Sequence, residues 1–368
     1  MRFALLALAA CSGGASGSVD AMGDGKPAPD AAIDAALPAH ATVYIGGYSS
    51  TIGHYDFDRA TGALTSVDKV TAFATSPSFL AMTSTHLYAV GEDNSKVGAY
   101  TIGADGALTF INSVASGGSG PAFVSVDHGG KFVLVANYTD GHIAVMPVRG
   151  DGGVNAAIAM PLAGMNAHMF ITDPANHFAF VPCLGSDYIA QYTFDPVTGA
   201  IAANAPATVA SASGAGPRHI AFGPNGNVYV VDETKSTLMT FHYDAASGTL
   251  GMPVQTISTR AMSATGTNTG AEVVVHPNGT FVYASNRGDD EVAVFSIAGD
   301  GTLTRTGAVA TDATPRSFAI DASGAWMLVA AQGGNTVAVF AIDPATGMAT
   351  ATGTKITFTQ PSFVGFGS

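Results

Sequence analysis

Charged side chains are scarce in this sequence: Asp, Glu, Lys and Arg make up 11% of its 368 residues. Exposed helices usually carry Glu and Lys on their outer face, so helices are not expected to dominate. Basic residues are scarcer still, 14 Lys and Arg against 27 Asp and Glu, for a formal charge of −13. Nucleic acid as a partner is excluded, because it needs a basic patch. The thin acidity names no partner and serves mainly solubility. No His/Cys cluster has structural zinc spacing, and no phosphate-binding loop or dinucleotide fingerprint occurs. No cofactor and no metal are expected.

Long apolar runs are missing too. The run that follows Met1-Arg2 ends at Ala10, far short of the roughly 20 residues of a membrane span. It has the form of a brief signal peptide, and Leu8-Ala9-Ala10-Cys11 matches a bacterial lipobox. The expectation is a leader over residues 1–11, lipidated at Cys11, then a flexible Ser/Gly/Ala/Asp/Pro-rich tether over 12–40. Such a chain is an exported lipoprotein, periplasmic or anchored at the outer membrane or cell surface, touching membrane only through its lipid. The alternatives are a misassigned start or an unstructured tail. Only one other cysteine exists, Cys183, so no intrachain disulfide can form in the mature chain. A lone cysteine in an apolar strand is ordinarily a small buried side chain.

Glycine and turns are abundant instead, with 45 Gly and 18 Pro. A four-part unit recurs, beginning at Pro77, Pro121, Ala167, Pro217, Ala271, Pro315 and Pro361, at intervals of 44, 46, 50, 54, 44 and 46 residues. Each unit reads as an apolar strand, a turn such as Gly223-Pro224-Asn225-Gly226, and a second apolar strand such as Phe281-Val282-Tyr283-Ala284. A strictly alternating third strand such as Val292-Ala293-Val294-Phe295 follows, then a Gly turn and a fourth strand. Four strands at a period in the forties predict an all-β, seven-bladed propeller with four-stranded blades over residues 41–368. The phase of the ends adds to this. The body opens at Thr42-Val43-Tyr44-Ile45, a second strand, and the missing first strand stands at Pro361 to Phe366. The ring is therefore expected to close with the C-terminal strand inside the N-terminal blade, leaving no exposed edge.

The start of each first strand and the end of each second should lie on one face of the disc, at a mouth of the central channel. Counting the composite blade as the first, charge gathers here from the fourth blade on: His168, Arg218-His219, Glu272 and Arg316 on first strands. Asn137-Tyr138, Asp232-Glu233, Asn286-Arg287 and Gln332 stand at second-strand ends. Three of the chain's eight arginines fall at this mouth. Charges beside low-dielectric walls are costly unless paired or functional. A single Arg–Glu pair could simply buttress adjacent blades; the whole set is harder to explain so. Arg218 and His219 alternate along a strand, so one of them faces away from the channel. His128 and His276 read as turn residues.

These residues carry a resemblance. Gly214-Ala215-Gly216-Pro217-Arg218-His219, Tyr283-Ala284-Ser285-Asn286-Arg287-Gly288 and Thr314-Pro315-Arg316-Ser317-Phe318 make the chain similar, from about Thr42 to Phe366, to the seven-bladed lactonase family. That family includes propeller-type 6-phosphogluconolactonases and fungal carboxy-muconate cyclases. The resemblance implies metal-independent lactone chemistry in a central cleft, with His168, Arg218, Glu233 and Arg287 as the catalytic set. His219, Glu272, Arg316, Gln332 and Asn137 are the expected substrate-binding residues. Cys183 stands where the family often has an acidic residue, and the leader separates this chain from cytoplasmic phosphorylated lactones. The expected partner is a small lactone or carboxylate, and the expected state a monomer. His168 or Glu233 would serve as base, with Arg218 and Arg287 on the carbonyl oxygen or a substrate carboxylate. A lactone-closing cycloisomerase and a non-catalytic binding propeller are the rival readings. A calcium-dependent gluconolactonase, six-bladed, fits seven repeats poorly.

Overall fold

The structure, a computed structural model, describes residues 37–223 and 226–367. The expected leader, Cys11 and most of the expected tether lie outside them. From His40 on, the chain forms seven antiparallel sheets. In the first blade Pro361–Phe366 pairs with His40–Gly47, placing Val43 opposite Phe366 and Ile45 opposite Val364. Thr51–Asp58 and Ala63–Thr71 complete that blade. The predicted ring closure is thus observed.

Second strands are buried on both faces, as in Phe132–Asn137 and Phe281–Asn286, where every residue is buried. They are sandwiched between neighbouring blades, which explains why their sequences are continuous apolar runs rather than alternating ones. The core is accordingly divided among the blade interfaces. One such layer joins Phe281, Tyr283, Val292 and Val294 of the sixth blade to Phe318, Met327, Val329 and Phe340 of the seventh. A recurrent tyrosine spans four interfaces. The hydroxyls of Tyr44, Tyr88, Tyr229 and Tyr283 donate to the carbonyls of Gly106, Gly152, Gly301 and Gly347 in the next blade, at 2.6, 3.1, 3.1 and 2.7 Å. Those glycines turn with φ of 70–84°, a region glycine enters without steric cost.

Two blades depart from the expected regularity. In the third, the outer edge is reduced to isolated bridges, His142 to Leu162, Val145 to Ala159 and Val148 to Val154. Pro161, without an N–H, cannot extend a ladder there. In the fourth, the inner strand is only Ile171–Thr172, preceded by one bridge between Ala167 and Cys183.

Candidate active site at one channel mouth

One backbone device builds the mouth. In every blade the N–H just past the second strand donates to the carbonyl just before the first: Tyr48 to Gln360, Glu92 to Ser76, Tyr138 to Gly120, Leu184 to Asn166, Glu233 to Gly216, Arg287 to Thr269 and Gln332 to Thr314, at 2.7–3.2 Å. Six of the seven acceptor residues have positive φ. Two are Gly120 and Gly216; the others are Ser76, Asn166, Thr314 and Gln360. Non-glycine residues rarely adopt this conformation, and a β-branched Thr314 at φ 61° is strained. The device sets seven second-strand-exit residues around the axis. Beside them stand the first-strand residues two past each acceptor: Ser362, Ser78, Ala122, His168, Arg218, Ala271 and Arg316.

This register corrects the placement of Glu272. Gly270 pairs with Asn286 as Pro217 does with Asp232 and Pro315 with Ala331. Gly270, not Ala271, therefore stands at the proline position, and Glu272 falls one layer deeper, level with His219. There its carboxylate lies 2.7 Å from His219 Nδ1. Asn137 is not brought to the mouth. Its buried amide donates to Ser116 O, as Asn286 donates to Thr259 O, bracing the connectors between blades. Its neighbour Tyr138 takes the mouth register instead. Cys183 is also set back, with Leu184 at the mouth, and burial pushes its thiol up to about 12.

The expected catalytic set does converge. Glu233 bridges two guanidiniums, with Oε2 3.0 Å from Arg218 Nε and Oε1 2.8 Å from Arg287 Nη2. The Arg218 contact is an ion pair off the hydrogen-bond axis; Arg218 spends Nη1 on Ala271 O. Burial alone would raise the Glu233 carboxyl, but Arg218 and then Arg287 overcome it and hold it below its ordinary value. Arg218 is 3% exposed. Burial first, then Arg316, draws it down to about 9, so it stays charged at neutral pH. His168, 5% exposed, has no partner on Nδ1. Burial and then Arg218 push it well below the ordinary histidine value, so it is neutral at pH 7.

Arg316 stands apart. Nη2 donates to the Tyr48 hydroxyl at 3.0 Å, Nη1 approaches Gln332 Oε1 at 3.5 Å, and the guanidinium lies over the Tyr48 ring. Among the described residues no carboxylate pairs with it. Glu92 accepts from Ser78 Oγ at 2.5 Å, and Tyr48 and Glu92 border the same well.

Beneath this ring the channel is stopped. Phe79 of the second blade lies 4.4 Å from Phe123, 4.8 Å from Phe363 and 5.8 Å from His219 of the fifth blade, across the axis. His219, 1% exposed, is lowered by burial, with Glu272 opposing. It belongs to this floor rather than to the ring of arginines. The result is a polar well with an aromatic base, bordered by Tyr48, Ser78, Glu92, His168, Arg218 and Arg316.

Tyr48, Glu92 and Ser78 were not singled out in the sequence. Applying the second-strand-exit register to the first two blades, after Gly46-Gly47 and Gly91, would have found Tyr48 and Glu92.

Known proteins resemble the chain over nearly all of this fold. The family model described as Lactonase, 7-bladed beta-propeller matches residues 42–366. A 6-phosphogluconolactonase of Pectobacterium atrosepticum is 35% identical over 74% of this chain and 81% of its own length. One of Klebsiella pneumoniae is 33% identical over 83% and 93%. The solved structure of a Pseudomonas aeruginosa periplasmic gluconolactonase superposes with a TM-score of 0.82 at 25% identity, covering 89% of this chain and 99% of that one.

Proposed function

This chain belongs to the seven-bladed β-propeller lactonase family, and from that premise we propose that it hydrolyses lactone rings at the Arg218/Glu233/Arg287 mouth. The observation that carries the reading is a carboxylate clamped between two guanidiniums, beside a neutral histidine, over an aromatic floor. Ester hydrolysis develops negative charge on the carbonyl oxygen, and pre-placed cations stabilise it most where water is excluded. Glu233 fixes Arg218 and Arg287 for that task. His168 offers a neutral ring to the ring oxygen of the substrate. The guanidiniums supply the positive charge, so the reaction runs without a metal. Arg218 and Arg287 flank Glu233, and Arg316 stands without a carboxylate partner among the described residues. These cations suit both the oxyanion and the carboxylate of the ring-opened product.

We place the protein outside the cytoplasm, as a lipoprotein held through Cys11, and its substrate among non-phosphorylated sugar lactones. The lipobox supports the first reading; likeness to a periplasmic gluconolactonase supports both. The test is acid release by the purified protein from glucono-lactone, 6-phosphogluconolactone and an aromatic lactone. The expected order puts glucono-lactone first. Arg218→Ala and Glu233→Gln variants that both keep full activity would refute the assignment.

A further inference from the structure

We propose that the general base of this site is Glu92, on the wall opposite Glu233. The inference rests on the lactonase reading above. A base must have a lone pair free for water, and a carboxylate held by cations is a poor one. Glu233 is such a carboxylate, since each of its oxygens faces a guanidinium at 3.0 or 2.8 Å. His168 has a free Nδ1, but burial and four neighbouring cationic or imidazole groups weaken it as a proton acceptor. Glu92 has neither handicap. Among the described residues no cation pairs with it. Among the described residues its side-chain hydrogen-bond partner is the Ser78 hydroxyl, which orients it and leaves acceptor sites on a group that has about four.

The orientation is itself built. Arg316 of the seventh blade donates to Tyr48 of the first, Ser362 Oγ of the first holds Ser78 O at 2.8 Å, and Ser78 Oγ donates to Glu92 of the second. Three blades thus build the wall that carries this carboxylate. Glu92, His168 and Arg218 border the same well, so a water held on Glu92 can meet a carbonyl whose oxygen points to Arg218.

Glu92 takes one proton from water as the water oxygen bonds the carbonyl carbon, and the carbonyl electron pair moves to the oxygen facing Arg218. Collapse of this tetrahedral species breaks the bond to the ring oxygen. That oxygen receives the proton from Glu92, giving a hydroxy acid and restoring the carboxylate. Water is the only co-reactant.

The test uses the full-length protein and whichever lactone of the panel the wild type opens fastest. Glu92→Gln should lower kcat by about 10²–10⁴-fold, the usual share of a general base, with KM changed less than about threefold. Glu92→Ala should recover at least about tenfold in added formate, a small carboxylate that can enter the vacated space. Glu92→Asp keeps the charge but withdraws it by one methylene; it guards against misfolding of the others and should lose at least about tenfold in kcat. A Glu92→Gln enzyme with wild-type kcat, or one altered in KM alone, overturns the proposal, as does absent formate rescue in a folded Glu92→Ala. A wild type inert on every lactone sinks the lactonase reading itself, a different result from an active wild type with an active Glu92→Gln.

Discussion

Replacing Glu233 by Gln removes the one carboxylate between Arg218 and Arg287 while keeping its shape. Both cations are largely withdrawn from water, with 3% and 12% of their side chains exposed, and Arg316 adds a third positive charge nearby. Breaking a buried pair costs about 3–5 kcal/mol, and the partial exposure of Glu233 argues for the lower end, about 3 kcal/mol. Unfolding entropy of about 2.1 cal/mol/K per residue, over the roughly 330 residues from Pro38 on, is about 0.7 kcal/mol/K, so the melting temperature should fall by about 4 °C at pH 7. The pH dependence sharpens this. The folded Glu233 carboxyl lies below its unfolded value. Its stabilisation is complete above the ordinary carboxylate range and is lost as pH falls through the lowered folded value. The wild-type and Glu233→Gln melting curves should therefore differ at pH 7 and converge on acidification toward pH 3. Calorimetry at matched scan rates reads both points. Equal melting at pH 7, or an undiminished gap at pH 3, would refute the electrostatic account of this cluster.

Three further outcomes are expected. Tyr283→Phe removes the donor to Gly347 O, costing about 1–3 kcal/mol for the stranded carbonyl, a melting shift of about 1.5–4 °C by the same conversion; a shift under 0.5 °C would contradict its role as an interblade tie. Cys183 should resist thiol reagents in the native protein and react fully in denaturant, because it is buried and its thiol is pushed up to about 12; rapid native labelling would show otherwise. Cys11→Ser should abolish metabolic labelling with palmitate and release the protein from the membrane fraction of a producing bacterium. Unchanged fractionation would remove the anchor from the proposal.

The ring was legible because each blade repeats the same punctuation. Proline or a small residue opens the inner strand and glycine turns close the outer hairpin, so even the phase of the two ends could be read. The mouth was legible where arginine made it conspicuous, at Arg218, Arg287 and Arg316. It blurred where the punctuation failed. Gly270 stands where most blades carry proline, Ala271 beside it fits the small-residue pattern equally well, and the longest interval puts extra chain before it, so the repeat alone sets Glu272 one residue out of register. Tyr48 and Glu92 follow glycines in blades that carry no arginine at the mouth; only the axis of the ring brings Glu92 near Arg218. Asn137 shows a different limit. A residue and its successor leave a strand end in different directions, and the backbone alone decides which one faces the mouth.

The pairing of Val43 with Phe366 spans 323 residues, 366 less 43. A polypeptide made from its N-terminus must hold the edge at His40–Gly47 open until Pro361–Phe366 has been made, and such distant pairing is slow to form. The wall around Glu92 inherits this timing. Tyr48 reaches across the seam to Arg316, and Ser362 to Ser78. A chain lacking Pro361–Phe366 would lose the Ser362 strut of that wall together with the partner that closes the edge of His40–Gly47. Closure of the ring and construction of the mouth are thus one event in folding.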